Sequence, residues 1–235
     1  MKKLLLILCL LLIPLTAQGA RTWPTSELIL NEDSVIIKDE FLSGLLTTGS
    51  IGELGWNLTG TGGTITNTDT TRTGSITLTT PATSANSAII TLKPASTTTG
   101  MTDFASEWDM TWIVKIPTIT SDDWFVFTLS YSSDNSKYAG FQVNTYSTWR
   151  AINKDTSATN TDTGITATAG QWYKLRAKRT STTIQYYIDD VLVATNSTNL
   201  PTGQGQPRAI VYNGLSSARY IVIDYFSLRI PSLTR

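Results

Sequence analysis

Trp172-Tyr173-Lys174-Leu175-Arg176-Ala177-Lys178-Arg179 alternates strictly, with Tyr173, Leu175 and Ala177 on one face and Lys174, Arg176 and Lys178 on the other. Successive strand side chains point to opposite sides of a sheet, so this period of two reads as a strand with one buried and one wet face. The basic row is then a solvated face. A second run, Thr183-Ile184-Gln185-Tyr186-Tyr187-Ile188, follows, and Asp189-Asp190 separates it from Val191-Leu192-Val193-Ala194-Thr195. Two β runs around a pair of aspartates predict a tight hairpin whose carboxylates serve the turn.

The same period extends outward from this hairpin. Trp108, Met110, Trp112, Val114 and Ile116 share one face of a run that Pro117 closes. Further strands are expected over residues 75–79, 88–93, 124–132, 138–144, 149–154, 206–213 and 219–229. Turn-rich stretches such as Ser132-Ser133-Asp134-Asn135-Ser136 and Pro201-Thr202-Gly203-Gln204-Gly205 separate them. No long apolar pattern has helical spacing. Many short strands without helices define an all-β sandwich or barrel. Residues 39–230 read as one domain, preceded by a leader over 21–38 and followed by a short tail, 231–235. The leader carries Pro24, the acidic pair Glu32-Asp33 and the apolar run Val35-Ile36-Ile37. It either adds an edge strand or docks elsewhere. The Thr/Gly-rich segment 59–74 is expected to form exposed hairpins.

The chain starts Met1-Lys2-Lys3, continues apolar to Leu15 and reaches the small residues Ala17, Gly19 and Ala20. A positive start, a short apolar stretch and a small-residue boundary are the parts of a secretory signal peptide, here residues 1–20. Pro14, Thr16 and Gln18 keep the run below the roughly 18 apolar residues a membrane span needs. The single cysteine, Cys9, lies inside that peptide, so the exported chain has no thiol and must be stabilised by burial instead of disulfides. With no histidine anywhere, Ser-His-Asp triads, Cys-His pairs and the usual zinc sites are excluded. The 18 basic residues balance the 18 acidic ones, which gives no electrostatic footprint for nucleic acid or a membrane surface.

Gly170-Gln171-Trp172-Tyr173-Lys174-Leu175-Arg176, the hairpin over 183–195, Thr198-Asn199-Leu200-Pro201 and the closing Asp224-Tyr225-Phe226-Ser227-Leu228-Arg229 together resemble the concanavalin A-like lectin/glucanase superfamily of the laminin-G-like kind. Within it they are most similar to the jelly-roll domains of bacteriophage structural and tail proteins. The likeness includes Ser147-Thr148-Trp149-Arg150-Ala151, Asn160-Thr161-Asp162-Thr163-Gly164, the opening Asp39-Glu40-Phe41 and Ile51-Gly52-Glu53-Leu54-Gly55-Trp56. It implies a two-sheet antiparallel jelly-roll sandwich over about residues 39–230. In those members that bind sugar, the sugar sits on the concave face or in the loops at its rim.

The glucanase branch of that superfamily carries Glu, Asp and a second Glu at alternating positions of one strand. Here Glu107-Trp108-Asp109-Met110-Thr111-Trp112 keeps the first two and lacks the third. A two-carboxylate glycosidase then has no evident acid/base, and hydrolysis is the least favoured reading. Binding by stacking needs only aromatic rings flanked by donors and acceptors. Asn144-Thr145-Tyr146-Ser147-Thr148-Trp149-Arg150 supplies both, so Tyr146, Trp149 and Arg150 are candidate ligand contacts, with Gln142, Asn144, Trp124 and Tyr131 lining the same groove. Calcium is a weaker expectation, drawing on Asp122, Asp123, Asp134 and Asn135; no other cofactor is expected. The expected function is a non-catalytic exported module that recognises glycan or polysaccharide at a cell or virion surface. The alternative is a structural or decorative protein whose partners are virion or cell-surface proteins. Neither involves nucleic acid, or a membrane once the signal is removed. N-terminal sequencing of protein recovered outside the cytoplasm is expected to begin at Ala20 or Arg21; an intact Met1 there would rule out cleavage.

Overall fold

The structure is a computed structural model that describes residues 26–31 (backbone only), 34–42, 46, 51–67, 72, 74–92, 101–120, 122–131, 136–144 and 147–231. The expected signal peptide and residues 232–235 of the expected tail lie outside them. In chain order the strands are β1 (Ser26–Asn31), β2 (Ser34–Asp39), β3 (Asn57–Gly60), β4 (Thr64–Thr66), β5 (Ile76–Thr79) and β6 (Asn86–Thr91). There follow β7 (Thr102–Asp103), β8 (Trp108–Lys115), β9 (Trp124–Tyr131), β10 (Tyr138–Val143), β11 (Thr148–Lys154) and β12 (Ala158–Thr166). The last five are β13 (Trp172–Arg179), β14 (Ile184–Ile188), β15 (Val191–Asn196), β16 (Gln204–Asn213) and β17 (Tyr220–Pro231).

One sheet runs β1-β2-β17-β8-β13-β14-β15, with β5 also on β17 and β4 on β5; the other runs β12-β11-β10-β9-β16-β6-β3, with β7 on β16. Both are antiparallel throughout. This is the expected all-β, two-sheet jelly-roll sandwich. Consecutive strands β8 and β9 belong to different sheets, so the chain crosses the core between them.

The alternation read from sequence decides the inner faces. In β8, Trp108, Met110, Trp112 and Val114 are fully buried while the residues between them are half-exposed. In β13, Tyr173, Leu175 and Ala177 point inward and Lys174 and Arg176 outward. Facing them from the second sheet are Phe125, Phe127 and Leu129 of β9, Ala139 and Phe141 of β10, Trp149 of β11 and Val211 of β16. Asp189 and Asp190 take φ of 50° and 66°, the doubly left-handed geometry that matches a two-residue turn to strand twist. Their carboxylates also hold Lys174, Asp189 accepting from its backbone N–H at 2.8 Å and Asp190 from its Nζ at 2.7 Å.

Three segments differ from, or complete, the sequence reading. The leader forms the β1–β2 hairpin, and β2 pairs along β17, so of the two possibilities left open it extends a sheet edge. Segment 59–74 divides between sheets: β3 joins β6, and β4 makes a hairpin with β5. β12 was not expected from periodicity, because Ala158–Thr166 has no apolar stripe. Its inward positions are threonines: the Thr161 hydroxyl donates across the sandwich seam to Asn196 Oδ1 at 2.8 Å, and the Thr163 hydroxyl donates within its own sheet to the Trp149 carbonyl of β11 at 2.6 Å.

The opening motif is built around one buried carboxyl group. Asp39 accepts from the N–H of Phe41 at 2.8 Å, the N–H of Leu54 at 3.1 Å and the indole Nε1 of Trp56 at 2.9 Å. Gly52 closes over it at φ +63°; a side chain there would start 2.6 Å from Asp39 Oδ2, so this turn takes glycine. Burial, and then a hydrogen bond with the Glu53 side chain, raise the Asp39 pKa from 3.8 to about 7. The folded state therefore holds a proton that the unfolded chain has lost between those two values. The resulting stabilisation is full below pH 3.8 and disappears as pH rises through about 7. The urea midpoint is expected to fall from about pH 4 to about pH 8, and Asp39→Asn to flatten that slope. A slope unchanged in Asp39→Asn would place the titrating group elsewhere.

Candidate functional site

The eight-stranded sheet is apolar on both faces. Along β9, Phe125, Phe127 and Leu129 enter the core, which turns Trp124, Val126, Thr128 and Ser130 outward. Along β16, Ala209 and Val211 enter the core and Arg208, Ile210 and Tyr212 face outward. Strand register then assembles rows across the outer face. Ser87, Tyr212 and Trp124 form one row; Ile89, Ile210, Val126, Gln142 and Arg150 form the next. A third holds Thr91, Arg208, Thr128, Gly140 and Ile152, and a fourth Gln206, Ser130 and Tyr138.

Most residues of these rows line an open trough of about 280 Å³, with Thr91, Arg150, Gln206 and Arg208 outside its lining; the volume is on the scale of the smallest ligand sites. Its floor is aliphatic, from Ile89, Val126, Ile152 and Ile210, with Thr128, Ser130, Tyr138 and Gln142 as polar points. The hydroxyls of Thr128 and Ser130 are 2.8 Å apart and bond each other. At one end stands Trp124, 46% exposed, its ring edge-on to Tyr212 at 6.4 Å. Gly140 lets β10 lie close against β9, because a Cβ there would lie 2.1 Å from the Phe127 carbonyl. No Asp or Glu is among the residues lining the trough.

Of the candidate contacts, Trp124 and Gln142 line this trough. Arg150 lies directly opposite Gln142 on β11, and Asn144 follows β10 on the same side as Gln142. Tyr146 lies outside the described residues. Two candidates are corrected. Trp149 is fully buried, packed between the sheets against Tyr173 at 5.3 Å, Phe127 at 6.2 Å and Phe141 at 6.5 Å, so it holds the core and meets no surface ligand. Tyr131 is seven residues from Trp124 on one strand; an odd separation puts it on the opposite face, where it packs on the core beside Gly203. Sequence reasoning missed Tyr138, Ile210, Tyr212 and Arg208. The last three share one parity of the run 206–213 and were visible as a set, but nothing marked that set as the outer one.

The partial glucanase motif lies on the other sheet. Glu107 is exposed, and Asp109 points outward from β8 into a bidentate pair with Arg176, at 2.8 Å to Nε and 2.5 Å to Nη2. At the third position Thr111 faces outward and Trp112 is in the core. Both carboxylates are thus on the far side of the sandwich from the trough. Among the calcium candidates, Asp123 is engaged through one oxygen: its Oδ2 accepts from Arg219 Nε and from the Thr120 hydroxyl, each at 2.5 Å, in a buried ion pair, while its Oδ1 is buried without a hydrogen-bond partner. Asp122 is exposed, and Asp134 and Asn135 lie outside the described residues. Among the described residues no three carboxylates cluster in a way that could hold a metal ion.

No family model and no curated protein sequence matches this chain. Solved structures do. A protein of unknown function from Shewanella oneidensis superposes with a TM-score of 0.61 at 14% identity, over 90% of this chain and 92% of that one. The β-glucanase of Bacillus licheniformis superposes at 0.57 and 12% identity, over 87% of this chain and all of the enzyme. Botulinum neurotoxin type C, which enters cells through interaction with two ganglioside molecules, superposes at 0.53 and 12% identity, over 86% of this chain and 49% of the toxin chain. The class is therefore the two-sheet jelly roll, the fold of the β-glucanase as well. At these identities the likeness establishes fold alone.

The two tryptophans separate cleanly by experiment. Trp149→Ala is expected to cost about 3–5 kcal/mol of stability by opening a core cavity, whereas Trp124→Ala stays within about 0.5 kcal/mol of the parent. Urea denaturation reads both, and a large loss in Trp124→Ala would overturn its placement at the trough rim.

Proposed function

We propose that the protein is an exported, non-catalytic module that binds glycan along the outward trough of the eight-stranded sheet. The observation that carries this reading is Trp124, a large aromatic held 46% exposed by Tyr212 at the end of an aliphatic channel. A sugar ring has an apolar face that packs on such an indole, while its hydroxyls reach Gln142, Tyr138, Thr128 and Ser130. Structural neighbours that act on or contact sugars, the β-glucanase and the ganglioside-dependent toxin, support the same reading. Absence of catalysis is supported by the trough's lack of a lining carboxylate and by the commitment of Asp109 to Arg176. Paired carboxyl groups about 5–10 Å apart are what glycoside hydrolysis uses. Export rests on the N-terminal sequence, and a cell or virion surface on the resemblance to phage jelly rolls.

A second reading, an assembly element of a virion or cell surface, draws on Val191 and Leu192, 64% and 50% exposed on the edge strand β15. Affinity electrophoresis of the mature protein in gels of β-glucan, galactan and bacterial surface polysaccharide distinguishes the two. Retardation in at least one gel is expected, weakened about tenfold in Trp124→Ala, with no release of reducing ends. Free migration in every gel would leave the assembly reading; reducing-end release that Glu107→Gln abolishes would instead make this an enzyme.

A further inference from the structure

Among the described residues, three arginines are paired with aspartates. Arg72 has Asp224, Arg176 has Asp109 and Arg219 has Asp123. Arg208 has none. It is partly buried on the outer face of β16, flanked in register by Thr91 and Thr128. Its Nε is buried without an acceptor, and among the described residues no carboxylate or carbonyl bonds its guanidinium. Burial alone acts on its charge and draws the pKa down. Arg179 also lacks an acceptor, but it shares the inward parity of Tyr173, Leu175 and Ala177 and so faces away from the trough.

A guanidinium whose Nε is buried without an acceptor is unfavourably placed, and its forked donors fit a planar or tetrahedral oxyanion. Arg208 lies on the same outward face as Ile210 and Tyr212, so an anion bound there sits at the trough's edge. Arg208 and Tyr212, the partner of Trp124, are four residues apart on β16, about 13 Å along the strand. A ligand touching both is longer than one sugar ring.

Building on the glycan-binding reading above, we infer that the trough selects acidic oligosaccharides, seating a sugar on Trp124 and a carboxylate or sulfate ester on Arg208. The shared chemistry is an oxyanion carried by a sugar. Calorimetric titration with oligogalacturonides (carboxylate), carrageenan oligosaccharides (sulfate ester) and neutral galacto-oligosaccharides tests it and separates the two sources. At least one acidic series is expected to bind about tenfold more tightly than the neutral one. Arg208→Gln abolishes that preference, and Arg208→Lys, which keeps the charge without the fork, retains part of it. The acidic series that loses affinity names the group.

Equal binding of acidic and neutral series, or a preference that survives Arg208→Gln, overturns this inference and leaves glycan binding standing. Binding of none of the three series, together with free migration in all the polysaccharide gels, removes both. The thermal midpoint of Arg208→Gln is an independent readout: an orphan charge is expected to leave it unchanged or higher when removed. A cooperative unfolding loss would instead assign Arg208 a structural role. If that variant does not fold, a reduced acidic preference in Arg208→Lys supports the inference and an undiminished one overturns it.

Discussion

One continuous aromatic spine holds the two sheets together, and the rest of the molecule is arranged around it. Phe41 meets Trp56, Trp56 meets Trp112 and Phe226, and Trp112 reaches across to Phe127; from there contacts run through Trp149 and Phe141 to Tyr186. The ring centroids are 5.1–6.5 Å apart along this path, and most pairs are tilted or edge-on, as aromatic quadrupoles favour. Trp112 and Phe226 come from one sheet, Phe127, Phe141 and Trp149 from the other. In a chain whose only cysteine is Cys9, this interdigitation does the work that bridges do in smaller secreted domains. The Asp39 turn completes the spine, because it fixes Trp56 through the indole N–H while closing the loop over Phe41.

The trough is a consequence of that packing. Phe125 and Phe127 of β9 and Phe141 of β10 fill much of the inner face, and the inner positions of the neighbouring β16 carry the smaller Ala209 and Val211. The larger Ile210 and Tyr212 are then left on the outer face, level with Trp124 and Val126. A sheet that is apolar on both sides with only one side covered presents a surface for a partner. Inside the sandwich, Asn153 and Asn196 bond each other at 2.6 Å, and Asn153 also donates to two carbonyls of the loop after β15. The indole nitrogens of Trp108, Trp112 and Trp149 are buried there without an acceptor, as is Arg208 Nε on the outer face.

The fold was largely legible in the linear chain. Strict alternation in β8 and β13 and the Asp189-Asp190 turn define strands by themselves, since a period of two has no helical counterpart. β12 was not legible: its inner face is made of threonines, of which Thr161 bonds across a seam, and local sequence holds no trace of a partner 35 residues away such as Asn196. The site was legible only in part. Trp124 and Gln142 were identified, yet Trp149 looked equally available. A tryptophan beside a turn of Asn, Thr and Ser reads as a surface aromatic until the strand's inward parity is known.

By itself, the sequence determined the all-β class, the strand sides in every run with one wet face, the absence of any intrachain disulfide in a chain with one cysteine, and the exclusion of histidine chemistry. These follow from composition and from the two-residue repeat, which are local properties. Tertiary structure alone decided which face of the doubly apolar strands β9 and β16 is core, that Glu107 and Asp109 lie across the sandwich from the trough, and that Arg208 lacks a counter-ion. Each of these depends on which strand lies beside or opposite another. When both parities of a strand are apolar, only the packing of the facing sheet breaks the tie.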